Sequence, residues 1–74
     1  MTSIINYEQM KKFYKEFKKN PPKDEFTKYY KEYTFAKSLI EFAKKRELKK
    51  DVLEYEKIQK NAVEQLKNLG YKFT

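Results

Sequence analysis

Large apolar side chains, most of them aromatic rings, recur every three or four residues along nearly the whole of this sequence, a period that belongs to helices. Tyr7, Met10, Phe13, Tyr14 and Phe17 share one helical face. Phe26, Tyr29 or Tyr30, Tyr33, Ala36, Ile40 and Ala43 continue at near-heptad spacing. Leu48, Tyr55, Ala62 and Leu69 then stand seven apart, with Val52, Gln59 and Leu66 interleaved. The pattern predicts an all-α fold.

The ends of these segments carry their own signals. Asn6 stands at an N-cap position with Gln9 three residues on, a variant of the capping box, and Ile5 and Met10 have the spacing of a hydrophobic staple. Asn20, Pro21 and Pro22 stop this first helix, because proline supplies no amide donor and restricts the residue before it. Asp24 restarts the helical pattern. The second stripe ends at Ala43 and the third begins five residues later at Leu48, so the two registers do not join. Asp51 with Glu54 reads as a capping pair that places a turn near residues 49–51. The expectation is one helical domain over residues 1–74, a small three-helix bundle with helices at about 7–19, 24–49 and 52–69.

A rival architecture stays open. The stretch 44–56 holds no glycine or proline and is rich in helix formers, which favours continuity. One helix over 24–69 would be ~69 Å long at ~1.5 Å per residue. Such a helix cannot bury its stripe against the first helix alone, so this version dimerises as a coiled coil. At the far end Gly70 reads as a left-handed cap, with Tyr71 reaching back to Leu66 in a Schellman arrangement. A small strand pairing of residues 3–5 with residues 71–73 is a further alternative.

Composition sets the limits on chemistry. The 74 residues contain no His, Cys or Trp, which excludes the common zinc sites, disulfides, Cys/His nucleophile pairs and ordinary haem ligation. A mean hydropathy of −1.07 leans toward disorder. Seven Tyr and six Phe, each a large contact area, reverse that lean. No window approaches the ~20 apolar residues that cross a bilayer, and the first residues lack the charged and apolar regions of a signal peptide. A cytoplasmic protein without a membrane partner is expected. The eleven carboxylates lie close to lysines, as Glu41 to Lys44 and Lys45 or Glu64 to Lys67, and read as solvated helix pairs worth ~0.2–0.5 kcal/mol each. The single glycine is spent on a cap, so no glycine-rich loop cradles phosphate. No catalytic residue, cofactor or metal ligand is expected, and the chain does not read as an enzyme.

What remains is recognition. The formal charge is +7, and the cations gather in two groups: Lys11, Lys12, Lys15, Lys18, Lys19 and Lys23, then Lys44, Lys45, Arg46, Lys49 and Lys50. If these meet in space they attract anions, including nucleic acid without sequence preference. A single Arg equips the chain poorly for reading bases. The bland alternative is a solvated lysine-rich face. Tyr7, Phe13, Phe17, Phe26, Tyr33 and Tyr55 sit on the stripes that form the core, whereas Tyr14, Tyr30, Phe35 and Phe42 fall off or at their edges. These four read either as an exposed partner-binding patch or as a wider core face. Gln59, in the third seam, reads as a boundary residue or as a residue fixing oligomer state.

Gln9-Met10-Lys11-Lys12-Phe13 resembles the Gln-aliphatic-x-x-Phe core of peptides that bind bacterial DNA sliding clamps, with Lys at the fourth position where that family prefers Leu. In length and in its Lys, Tyr, Phe and Asn content the chain resembles the small early proteins of phages of low-GC Gram-positive bacteria. Among them are the Twort-type staphylococcal phage inhibitors of the host sliding clamp. The resemblance implies a phage-encoded inhibitor in the host cytoplasm that blocks a replication or transcription protein stoichiometrically. The channel of such a clamp is itself basic, so docking there would fall to acidic patches such as Glu54 and Glu56 or Asp24 and Glu25. Gln9, Met10 and Phe13 join the four edge aromatics as candidate partner-binding residues, and a basic helical nucleic-acid-binding protein is the alternative.

Overall fold

The computed structural model describes residues 6–73, and among them the regular elements are three α-helices: α1 Tyr7–Lys19, α2 Glu25–Lys45 and α3 Lys49–Asn68. The chain turns between α2 and α3, so the single long helix does not form. α1 begins on the reciprocal capping box. The Asn6 side chain accepts from the Gln9 backbone N–H at 2.8 Å, and the Asn6 N–H donates to Gln9 Oε1 at 3.2 Å. Ile5 of the expected staple lies outside the described residues. α2 begins on Asp24, whose carboxylate accepts from the Thr27 N–H and hydroxyl, both at 2.8 Å. Those hydrogen bonds, the backbone one first, hold the Asp24 carboxyl below the usual aspartate range.

The turn between α2 and α3 corrects two expected boundaries. α2 ends at Lys45 rather than near 49, and α3 begins at Lys49 rather than 52. The cause is a Schellman arrangement built without glycine. Leu48 N–H donates to Ala43 C=O at 3.0 Å and Glu47 N–H to Lys44 C=O at 3.1 Å, while Glu47 takes the left-handed conformation at φ 57°. Leu48 also accepts from the Val52 N–H at 3.0 Å, so the residue that closes one helix opens the next. Asp51 is therefore inside the first turn of α3 and caps nothing; the N-cap is Leu48, without a side-chain bond.

A left-handed L-residue costs about 1–2 kcal/mol, part of which glycine gives back through the greater freedom of its unfolded chain. Glu47→Gly should therefore raise stability by about 0.5–1 kcal/mol, seen as a higher urea midpoint at unchanged slope. A lower midpoint would mean that the Glu47 side chain holds the turn. The end of α3 is the glycine version of the same device. Gly70, at φ 95°, donates to Lys67 C=O, and the Tyr71 N–H reaches Leu66 C=O, both at 2.9 Å. Residues 71–73 form no strand; their rings pack on α2, Tyr71 against Phe26 at 5.4 Å and Phe73 against Tyr33 at 5.3 Å between centroids. The proposed strand partner, residues 3–5, lies outside the described residues.

Contact between the start of α2 and the tail of α3 makes those two helices an antiparallel hairpin. Fully buried Ala36, Ala43 and Ala62 let their backbones approach closely around Leu39 and Leu66. α1 is attached differently. It runs antiparallel to α2 with Tyr7 stacked on Phe42 at 6.1 Å and Tyr14 tilted against Phe35 at 5.7 Å, yet no Cα of α1 comes within 8 Å of α3. The first helix is joined to the third by side-chain tips.

Candidate binding surface

The heptad positions 7, 10, 14 and 17 decide which α1 rings enter the core. Tyr7 and Tyr14 are buried, with Met10 and Phe17 packed against them, while Phe13, one step round the helix, stays 45% exposed. Phe13, expected in the core, is a surface ring, and Tyr14, read either as an exposed patch residue or as a wider core face, is a core ring. Phe35 and Phe42, read either as an exposed patch or as a wider core face, take the second role: they are half-buried and pack against the core from α2. Only Tyr30 of the four edge aromatics is exposed, and it lies against Phe26 and Tyr71. Gln9 is spent on the capping box and Met10 on the core, so the string 9–13 is folded into α1 rather than presented as an extended peptide. Gln59 is half-buried, at the edge of the α3 seam.

Two buried hydroxyls fix α1 in place. Tyr7 Oη donates to Asp51 Oδ2 at 2.8 Å and lies 3.4 Å from Tyr55 Oη. Tyr14 Oη donates to Glu32 Oε2 at 3.1 Å. Burial first, then these hydrogen bonds and the neighbouring carboxylates, pushes both phenols far above the usual tyrosine range. Cations cover the same rings. Lys11 Nζ stands 4.7 Å and Arg46 Cζ 5.3 Å from the Tyr7 centroid, and Lys18 Nζ 5.5 Å from that of Tyr14. The two basic groups thus meet at one ring.

Because α1 stands off from α3, an open cleft of about 890 Å³ runs between them. Lys11, Lys12, Lys15 and Lys18 form its α1 side, and Glu54, Tyr55 and Ile58 its α3 side, with Tyr14 at the floor and Glu8 at one end. Lys19 lies outside it. Lys44 and Lys49 line a separate depression at the α2–α3 corner, while Lys45 lies beside Glu41 and Phe42, and Lys50 is exposed. Tyr55 and Ile58 were missed as site residues, and Glu54 was read only as part of an acidic patch, since the cleft depends on the distance between two helices and leaves no mark in either alone.

Lysines in the cleft are sparsely neutralised. The one ion pair among the described residues joins Lys11 Nζ to Glu8 Oε2 at 3.3 Å. Glu41 with Lys44 or Lys45, and Glu64 with Lys67, do not approach within 4.0 Å, so those sequence neighbours are not ion pairs. No group of three or more Asp or Glu among the described residues could hold a metal ion. The arrangement offers cations above an aromatic floor, which suits an anionic ligand surface. Searches against protein-family models, curated proteins and solved structures find no match to the chain.

Proposed function

We propose that this is a non-enzymatic binding protein that occludes a macromolecular partner through the cleft between α1 and α3. The observation that carries the reading is the row of Lys11, Lys12, Lys15 and Lys18 over Tyr14, Tyr55 and Ile58, with a single ion pair at its end. Such a cleft attracts an acidic protein surface and speeds encounter, while the apolar wall supplies the contact that charge alone does not. Glu54 within the cleft gives a basic partner side chain one place to pair. On the resemblance drawn from the sequence, the partner is a bacterial replication or transcription protein, the chain is phage-encoded and acts in the host cytoplasm, and the DNA sliding clamp is the first partner to test. The folded state of residues 9–13 means that a clamp would be engaged by the helical surface, not by an inserted peptide.

The test is a titration of purified clamp against the wild-type chain and the Lys11→Glu/Lys15→Glu/Lys18→Glu variant, with duplex and single-stranded DNA run alongside at two salt concentrations. The protein-partner reading expects saturable one-to-one binding to the clamp, weakened at least about tenfold in the variant, and weak DNA binding. The lysine row of α1, ion-paired only at Lys11, favours a second reading, nucleic-acid binding. That reading expects tight DNA association whose logarithm falls with log salt at about −0.9 per phosphate neutralised. Binding of neither ligand would remove the clamp, and an unchanged variant would remove the cleft.

A further inference from the structure

The α2–α3 corner is a second surface of different character. Leu48 is 39% and Leu53 61% exposed, the latter the most exposed large apolar side chain of the described residues. Together with half-buried Val52 they line an open apolar depression of about 430 Å³ whose edges are Lys44, Glu47 and Lys49. Elsewhere, the exposed rings Phe26 and Tyr30 stack on each other at 6.0 Å. Five cations, Lys44, Lys45, Arg46, Lys49 and Lys50, fall within seven residues of the sequence against one acid, Glu47; Lys44 and Lys49 line the depression, while Lys45 lies beside Glu41 and Arg46 lies over Tyr7 and Phe42. The next acids face elsewhere: Asp51 is bonded to Tyr7, and Glu54 lines the α1–α3 cleft.

We propose that this corner docks on an anionic lipid bilayer surface. A bilayer presents a negative headgroup layer above an apolar one, and the corner offers the complement at the end of a helical hairpin, with leucines at the tip and lysines around them. Lysine stems lie along apolar surface while their ammonium groups stay at headgroup level. A nucleic acid gains nothing from two exposed leucines, and an acidic polymer lacks the layer that receives them. Peripheral docking needs no membrane-crossing segment, and no described helix is long and apolar enough to cross. The proposal is independent of what fills the α1–α3 cleft.

The test is co-sedimentation of the full chain with vesicles of phosphatidylcholine alone and of phosphatidylcholine with one-third phosphatidylglycerol. Partitioning onto the anionic vesicles should exceed that onto neutral ones by at least about tenfold and fall with salt. Leu48→Ser/Leu53→Ser should lower the anionic-vesicle partition coefficient by about tenfold or more. Both positions are exposed and serine is a good N-cap at residue 48, so an unchanged far-ultraviolet dichroism spectrum certifies the fold. Equal partitioning onto neutral vesicles overturns the proposal. So does a leucine variant that binds like wild type, or displacement by polyglutamate of matched charge, which would make the corner a plain polyanion site.

Discussion

Replacing Tyr7 with alanine should cost about 3–5 kcal/mol of folding stability, the range for deleting a large buried ring. One side chain here holds the α1 start to both other helices: its ring stacks on Phe42 and lies under Lys11 and Arg46, and its hydroxyl donates to Asp51. A chain of this length has about 4–11 kcal/mol to lose, so the variant should be partly or wholly unfolded at room temperature. Tyr7→Phe separates the components. It keeps the ring but leaves the half-buried Asp51 carboxylate without its donor, at an expected cost of about 1–3 kcal/mol. Urea titrations of the three proteins give both numbers. A Tyr7→Ala variant within 1 kcal/mol of wild type by the same titration would show that α1 does not depend on this ring.

The second large effect is alkaline unfolding. Tyr7 and Tyr14 are 3% and 7% exposed, and both have folded-state pKa values raised above the ordinary 10.0. A raised value means that the folded chain keeps the proton that the unfolded chain releases. Their contribution is whole below pH 10 and is lost as pH climbs from there toward the folded values, by about 1.4 kcal/mol per pH unit for each phenol. With two such groups the loss approaches about 2.8 kcal/mol per unit. The urea midpoint should stay nearly level up to pH 9 or so and then fall steeply. Tyr7→Phe should remove about half of that slope; an identical slope in the variant would refute the assignment.

Local signals in the sequence were read most faithfully where the structure satisfies them locally. The Asn6–Gln9 capping box, the proline stop after Asn20, the Asp24 start and the Gly70 Schellman turn each involve neighbours within about six residues, and each formed. The start of α3 was misplaced because Glu47 occupies the left-handed position that glycine usually marks, which hid the turn. Asp51 resembled a cap but serves as a distant acceptor for Tyr7, a pairing across forty-four residues that no local window contains. Phe13 and Tyr14 are adjacent, ~100° apart on the helix, and which one enters the core depends on where α2 lies. The lysine row on α1 was visible in the sequence. Of its opposite wall, Glu54 was read only as part of an acidic patch, and Tyr55 and Ile58 were not read as site residues.

The stand-off of α1 from α3 gives Tyr7 the role of a strut. The hydroxyl tip of Tyr7 ends on Asp51 of α3, so the gap between the first and third helices at that end is gauged by the length of a phenol rather than by any loop, while Tyr14 ends on Glu32 and ties α1 to α2. Width at that end of the recess, and with it the size of guest that can enter, is thereby written into one side chain of the interior.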